Sequence, residues 1–365
     1  MNSPPGGHEI RSALDDYPGH AVPNQPSVAI VIPVFNEIDH LPALMADVRA
    51  QDYPGIATIF LADGNSTDGS LDALNAWAQD DPRVEVVNNP RRVQAAAINA
   101  VFMNAATDIV MRLDAHARYA PDVVSACVAV LLETGAGGVG AAARPAEQHT
   151  AVGRAIALAH KSRLGVGVAK FRQEDAEGWA DTIWNGCYWR HVVARVGPMR
   201  EDLWRAEDND FNERVRRLGY RLYISPRVVA HYKTRQSFSR LWQQYFDTGM
   251  STILAMSVNP RAFSFRHLVP LAFVLSLIVP QVLAFVWPPF SLVSMGVLAI
   301  YLCALALATA VAGRNARSIG AVALLPVALM VLHLAYGAGS LAGVFRLAGR
   351  SVTSMLRRPG LSAGP

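Results

Sequence analysis

A chain of 365 residues with 33 Lys plus Arg and 29 Asp plus Glu has a formal charge of +4, and 52% of it is hydrophobic. That length holds one large domain or two ordinary ones, while a mean hydropathy of +0.20 is high for a wholly water-soluble protein. Past Asp247 there is no Asp, Glu or Lys but there are eight arginines, so the first 247 residues carry 25 basic against 29 acidic side chains and the remainder carries +8. A charge-rich front therefore reads as a water-soluble domain and an acid-free, arginine-punctuated rear as a membrane region. No nucleic acid partner is expected.

Three cysteines without CxxC spacing exclude a disulfide scaffold and read as reduced and structural. The first 26 residues form a Pro- and Gly-rich flexible segment without the apolar core of a signal peptide, so the soluble part is expected in the cytoplasm. From residue 27 short apolar runs alternate with helical spacing: "SVAIVIPV" (27–34), "ATIFLAD" (57–63), "RVEVVNN" (83–89) and "DIVMRLD" (108–114) read as strands. "HLPALMADVRAQ", "SLDALNAWAQ" and "VQAAAINAVFMNA" between them read as helices. This alternation predicts an α/β domain over 27–235, with a mainly parallel sheet and ligands at the carboxyl ends of its strands.

The chemistry is expected in the loops after those strands. The first ends in "PVFNE", placing Asn36 and Glu37 past the apolar run, and the second ends at Asp63 before a turn and a helix start. A carboxylate there can accept from a base edge, and a helix N-terminus can hold phosphate. The fourth ends in "LDAH". Asp114 and His116 either grip a divalent metal together with phosphates or are an ordinary polar strand end. "GAGGVG" (135–140) matches the dinucleotide fingerprint in letters only, because a helix precedes it and a strand follows, the reverse of the order required. "TIWNGCYWRHVVARVG" (182–197) places a small, aromatic-lined loop before a short helix. "WRAEDNDFNERVRRLG" (204–219) opens a helix with Glu207 and Asp208, with Phe211, Val215 and Leu218 as its buried face and Gly219 as its end. Acids in a first turn also serve simply as dipole partners.

In "SFSRLWQQYFDTG" (237–249), Phe238, Leu241, Trp242, Tyr245 and Phe246 share one helical face. The region 236–266 suits a helix lying in the membrane interface, a core-facing helix, or both. Three stretches, 268–287, 290–312 and 319–345, lack charged residues apart from a protonatable His333. Each is long enough to cross about 30 Å of hydrocarbon at about 1.5 Å per residue, giving a membrane region of about three segments over 267–346 and a basic tail over 347–365. Three simple spans with the front domain inside put Arg314 and Arg317 inside but the four C-terminal arginines outside, against the positive-inside rule. Breaking the third segment, which holds Pro326 and Gly337, Gly339 and Gly343, into a re-entrant or interfacial piece returns the tail to the cytoplasm.

Asp63, the Asp-x-His strand end and the later Glu-Asp pair, in this order, resemble the family 2 glycosyltransferases of the GT-A fold. The likeness is to the membrane-attached exopolysaccharide (succinoglycan) type, over roughly 26–250 and more loosely through "HLAYGAGSL" (333–341). The resemblance implies a Rossmann-like nucleotide-sugar-binding domain, then an interfacial helix and transmembrane helices in the bacterial inner membrane. It implies an inverting transfer from a nucleotide sugar, UDP-linked, to a lipid-linked glycan acceptor. It also implies a donor pocket from Pro33, Asn36, Glu37, Asp63, Arg92, Gln94 and Asp114, and a Mn2+ or Mg2+ ion at Asp114 and His116. Asp208, with Glu207, is the implied catalytic base, and Asn185, Gly186, Gln244 and Tyr245 are placed near donor or acceptor. The chain departs from the family pattern at three places. His116 stands at the third position of Asp-x-Asp, Ala62-Asp63 replaces a double Asp, and "RLWQQYF" stands where processive synthases carry Gln-x-x-Arg-Trp, so processive polymerisation is not expected. A polyprenyl-phosphate acceptor and a non-catalytic nucleotide-sugar-binding scaffold are the alternatives. Loops between Arg144 and Asp181 are expected to select the acceptor.

Overall fold

The computed structural model describes residues 10–19, 21–166, 175–314 and 318–356. Parts of the N-terminal segment, residues 167–174 of the acceptor-loop stretch, Arg317 and the tail from 357 lie outside the described residues. Two compact units interleave along the chain: Met1–Glu147 with Val168–Thr234, and Gln148–Gly167 with Arg235–Pro365.

The elements up to Tyr232 run β1 (Val28–Val34), α1 (Leu41–Arg49), β2 (Ile56–Asp63), α2 (Ser70–Asp80), β3 (Val84–Asn88), α3 (Gln94–Phe102), β4 (Ile109–Arg112), β5 (Ala117–Tyr119), α4 (Val123–Thr134) and β6 (Gly138–Pro145). After these come α5 (Ala151–Lys161) and α6 (Arg163–Val166), both of the second unit, then β7 (Gly178–Ala180), β8 (Trp184–Trp189), α7 (Arg190–Val196), α8 (Glu207–Arg217) and β9 (Leu222–Tyr232). The first unit is built on one nine-stranded sheet of order β3-β2-β1-β4-β8-β6-β9-β5, with β7 on β9. Strands β3, β2, β1 and β4 are mutually parallel. β8 runs antiparallel to both β4 and β6, which makes the sheet mixed.

Chain order explains the parallel half. Each apolar run is followed by a helix that returns the chain across the sheet, and strands covered on both faces need no polar alternation: Val28 to Ile32 are all buried. From β1 the chain steps outward to β2 and β3, then crosses back to β4 on the other side, so the strand order reverses between β1 and β4. A crevice opens at the carboxyl ends of strands at such a reversal.

Two expectations change. Asn185 and Gly186 lie in β8, not in a loop, because this segment fills the gap between β4 and β6 and is buried from Asn185 to Trp189. Leu218 is 40% exposed: α8 ends at Arg217, and Gly219 turns the chain away at φ 93°. "GAGGVG" is the expected turn, with Gly135 closing α4 at φ 63° before β6 begins.

The second unit continues with α9 (Phe238–Val258), α10 (Val269–Leu283), α11 (Ser291–Gly313) and α12 (Ile319–Leu356). Ser237 caps α9 by accepting from the Arg240 amide at 3.3 Å. Three stretches, Phe265–Leu283, Pro288–Gly313 and Ile319–Gly349, are long and apolar enough to cross a membrane. On α9, Leu241 and Tyr245 are buried with Ile156 of α5 and Leu329 of α12 in this unit's own core, while Trp242 is exposed.

Ile32 sits fully buried in β1. Ile32→Ala should cost about 2–5 kcal/mol and lower the midpoint of thermal denaturation, whereas Leu71→Ala, at an exposed position of α2, should stay within about 0.5 kcal/mol; circular dichroism melts of the two variants check this.

Candidate active site

The crevice between the ends of β1 and β4 is a cleft of about 170 Å³ lined by residues from each parallel strand end. β1 supplies Pro33, Phe35 and Glu37, the ends of β2 and β3 supply Gly64 and Asn89, and the turn into α3 supplies Arg92 and Gln94. The segment after β4 supplies Asp114 and His116. Five expected donor-side residues and the expected metal-side imidazole therefore meet in one place. β4 itself ends at Arg112, so the Asp-Ala-His piece leaves the sheet and bends over its edge.

Each of these groups is held. Asp114 Oδ1 accepts from Arg112 Nε at 2.9 Å and from Gln94 Nε2 at 3.4 Å, and Oδ2 accepts from Trp184 Nε1 at 3.0 Å. Its amide donates to the Tyr119 hydroxyl at 2.6 Å, and Asn185 Nδ2 donates to the same hydroxyl at 2.9 Å. Asn185 thus supports the Asp114 backbone from behind. Glu37 Oε1 lies 3.1 Å from His116 Nδ1 and Oε2 lies 3.7 Å from His40 Nε2. The expected pocket residues Asn36 and Asp63 brace the turn after β2: Asn36 Oδ1 accepts from the Thr67 amide at 2.8 Å, and Asp63 Oδ2 accepts from the Ser66 amide at 3.1 Å. Gly186 lies against Tyr188, where a Cβ would meet the ring.

A buried guanidinium joins this cleft to the start of α8. Arg112 Nη2 is 2.8 Å from Asp114 Oδ1, and Nη1 is 3.6 Å from Glu207 Oε1. Burial disfavours the Arg112 charge, but Asp114, Glu207 and Asp208 together outweigh it and hold the guanidinium above its ordinary range. Burial likewise works against the Asp114 carboxylate, and Arg112 and His116 overcome it, so the group stays below the usual value. Glu207 is pushed up to about 7, first by burial and then by Asp208 beside it. Asp208 is also raised by burial, against the pull of Arg112. Two carboxylates sharing one cation hold their last proton as a pair.

The backbone is strained in the same places. Among the described residues, the non-glycine positions with positive φ are Asn36, Asn65, Arg92, Asn185 and Ala206. They adjoin Glu37, Asp63 and Glu207, or are themselves the expected site residues. Such conformations cost about 1–3 kcal/mol each and persist where surrounding structure imposes them, as at ligand-binding sites.

Sequence reasoning missed Arg112, Trp184 and Tyr119. A lone arginine in an apolar strand was the available signal for the first, since a charge placed there needs partners. Gln244 and Tyr245 belong to the second unit. Gln244 accepts from Arg235 Nε at 3.1 Å, and Tyr245 packs near His160 and Tyr336.

A carboxyl whose folded pKa is raised costs stability as pH rises past its unfolded value, because the unfolded chain releases the proton first. Between about pH 5 and 8 the melting temperature of Glu207→Gln should therefore gain on that of the unsubstituted protein, and calorimetric melts across that window check the trend.

Comparisons with known proteins agree with this geometry. A family model described as Glycosyl transferase family 2 matches residues 29–175. The succinoglycan biosynthesis protein ExoA of Rhizobium meliloti is 32% identical over 316 residues, covering 86% of this chain and 93% of that protein. A Methanococcus voltae dolichyl N-acetyl-alpha-D-glucosaminyl phosphate 3-beta-D-2,3-diacetamido-2,3-dideoxy-beta-D-glucuronosyltransferase is 24% identical over 272 residues, 71% of this chain and 84% of that one. Among solved structures, the mannosyltransferase PcManGT of Pyrobaculum calidifontis, in complex with GDP-Man and Mn2+, superposes with a TM-score of 0.56 at 19% identity over 88% of each chain. The mixed sheet, the cleft at its strand reversal and a relative of this identity and coverage lead to one statement: the chain belongs to the family 2 glycosyltransferases and has the GT-A fold.

Proposed function

We propose that this glycosyltransferase moves a sugar, with inversion, from a UDP-linked donor to a lipid-linked saccharide at the cytoplasmic face of the bacterial inner membrane, in extracellular polysaccharide or envelope glycan synthesis. The observation that carries the reading is Arg112, which ties the donor-side carboxylate Asp114 to the acidic pair Glu207-Asp208. The likeness to a succinoglycan biosynthesis protein and to an enzyme named for a dolichyl phosphate-linked sugar acceptor favours a lipid-linked acceptor. Three apolar stretches of spanning length suit such a substrate.

The base and ribose enter the cleft beside Asp63 and Glu37, and the diphosphate faces Arg92 and the N-terminus of α3, whose dipole and amides favour anions. Arg92 lies over the Phe35 ring at 5.4 Å, which holds its charge at the cleft wall. Asp114, oriented by Arg112 and Trp184, faces the sugar side. Asp208, partly exposed at the start of α8, takes the proton of the acceptor hydroxyl as that oxygen attacks the anomeric carbon and the nucleoside diphosphate departs. A base with a raised pKa is matched to this work near neutral pH, and Arg112 keeps the pair from holding two protons.

A divalent cation fits the donor set of the cleft. Asp114 and His116 supply one carboxylate and one imidazole, and among the described residues no three His, Cys, Asp or Glu side chains form a self-sufficient cage. An ion held by these two residues would draw its remaining ligands from the donor's diphosphate and water, the regime of phosphate-bound Mg2+ and Mn2+. When bound, such an ion neutralises charge on the leaving diphosphate.

Asp208→Asn should lower turnover about 10²- to 10⁴-fold while leaving nucleotide affinity nearly unchanged; retained turnover would remove Asp208 from the role of base. In calorimetric titrations, UDP should bind in the presence of Mn2+ or Mg2+. Binding should be lost in Asp114→Ala and weakened in His116→Ala and in EDTA. A product in which the sugar is joined directly to lipid phosphate, detected by its acid lability, would shift the reading to a polyprenyl-phosphate acceptor.

A further inference from the structure

The segment that delivers the acidic pair to its place is neither helix nor strand, yet it is tied down along its length. α7 ends at Val196 and α8 begins at Glu207, leaving residues 197–206 between them. Gly197 leaves α7 at φ 79°. Ala206 enters α8 at φ 64°, and its carbonyl accepts from the Asp210 amide at 3.3 Å. A non-glycine residue in that conformation is kept there by its surroundings, so whatever holds this loop bears on Glu207 and Asp208.

Two side chains hold it. Arg214 of α8 reaches back to the start of the loop, donating from Nη1 to the Val196 carbonyl at 3.0 Å and from Nη2 to the Pro198 carbonyl at 2.8 Å, while its Nε donates to Asp210 Oδ2 at 2.9 Å. The other is Asn99 of α3. Its Oδ1 accepts from the Met199 amide at 2.7 Å, and its Nδ2 donates to the Met199 carbonyl and to Glu201 Oε1, both at 2.9 Å. One side-chain amide thus pairs with both backbone groups of Met199. Glu201 also takes Arg91, from the turn before α3. In "AAAINAVF" the asparagine stands on a helix face with buried Ala95, Ile98 and Phe102, where an amide is costly unless bonded. An apolar residue would satisfy the packing of that face; the amide satisfies the loop.

The same helix opens on the donor cleft. Arg92, Val93 and Gln94 line that cleft, and Asn99 follows Gln94 by about 7.5 Å along the helix axis. We infer that Asn99 is a positioning residue for sugar transfer: by holding Met199 and Glu201 it fixes loop 197–206, and so sets where Glu207 and Asp208 stand relative to the helix whose N-terminus faces the diphosphate. One rigid helix then spaces the leaving group from the base. Asn99 acts through the loop and through Asp208. The inference therefore rests on the reading of Asp208 as the base.

The test uses the full-length protein in detergent. In Asn99→Ala, UDP binding with Mn2+ should stay within about twofold, while release of UDP from the UDP-sugar that the unsubstituted protein turns over fastest should fall about 10- to 100-fold, as a misplacement of about 1 Å can cause. Once Asp208→Asn is present, adding Asn99→Ala should cost nothing further, because a residue that acts through the base has nothing left to position; a merely structural role would multiply the two losses. Hydrogen exchange reads the link without turnover. Peptides over 199–210 should exchange at least about tenfold faster in Asn99→Ala, with β1 unchanged. Exchange unchanged beyond residue 201, unchanged turnover, equal losses of binding and turnover, or multiplied losses in the double variant each overturn the inference. Should Asn99→Ala fail to fold, Glu201→Ala, at a partly exposed side chain, is read by the same measurements with the same signs. Asn104→Ala, exposed just beyond α3, is the control that leaves all of them unchanged. Retained turnover in Asp208→Asn marks the separate failure of the reading beneath, and takes the inference with it.

Discussion

A buried guanidinium between three carboxylates organises the catalytic unit. Arg112 stands at the last position of β4, where the sheet is covered on both faces, and a charge there survives only if its partners come with it. Asp114, two residues on, and Glu207, from a helix nearly a hundred residues later, are those partners. The pairing fixes where the chain bends after β4 and where α8 begins. It also bears on the protonation of both sites, since Arg112 holds Asp114 ionised and pulls the Glu207-Asp208 pair toward ionisation, while burial holds that pair back. Breaking such a group by removing one partner leaves an uncompensated charge, so its members behave as a unit.

The strained backbone positions follow from the same demand. Strands that are apolar on both faces leave their polar work to the residues just beyond their ends, and those residues must turn sharply to face one crevice. Asn36 and Asn65 take left-handed conformations that asparagine tolerates better than most residues. Ala206 takes one with no such advantage, immediately before Glu207. The strain is offset by tight local bonding, Asn36 to Thr67 and Asp63 to Ser66 among it. The result is a cleft shaped before substrate arrives, which lowers the ordering cost of binding a flexible nucleotide sugar.

The second unit obeys a different solvent. Its helices α10 and α11 expose apolar side chains around most of their surface, while α12 is covered along one side by α9 and α5 through glycine-mediated contact. Hydropathy treats all three stretches alike because it counts composition. Packing separates them, since residues 322–333 of α12 run beside the second half of α11, from Val322 at Gly313 to His333 at Tyr301, while residues 336–343 take α9 through close backbone approach.

Much of the architecture was legible in the order of the residues. Apolar runs of strand length, separated by helical spacing, point to parallel neighbours because a helix that returns the chain across the sheet lets the next strand run the same way, and β1 to β4 follow that rule. The loops at their carboxyl ends then had to hold the chemistry, and Glu37, Arg92, Gln94, Asp114 and His116 do line one cleft. The acid-free rear of the chain, likewise, had to be apolar helix. What only the tertiary structure decided are pairings between distant segments. The segment around Asn185 and Gly186 became a strand because β4 and β6 left a gap antiparallel to it. Trp184 and Tyr119 became supports of Asp114 because β8 and β5 carry them there. Segment 148–167, expected among the acceptor-selecting loops of the front domain, instead forms α5 and α6 and packs with the rear helices because the apolar face of α5 finds α12. Periodicity records which face of a segment is buried, but the partner that buries it is chosen by the whole chain, and so are the charge pairs that burial forces together.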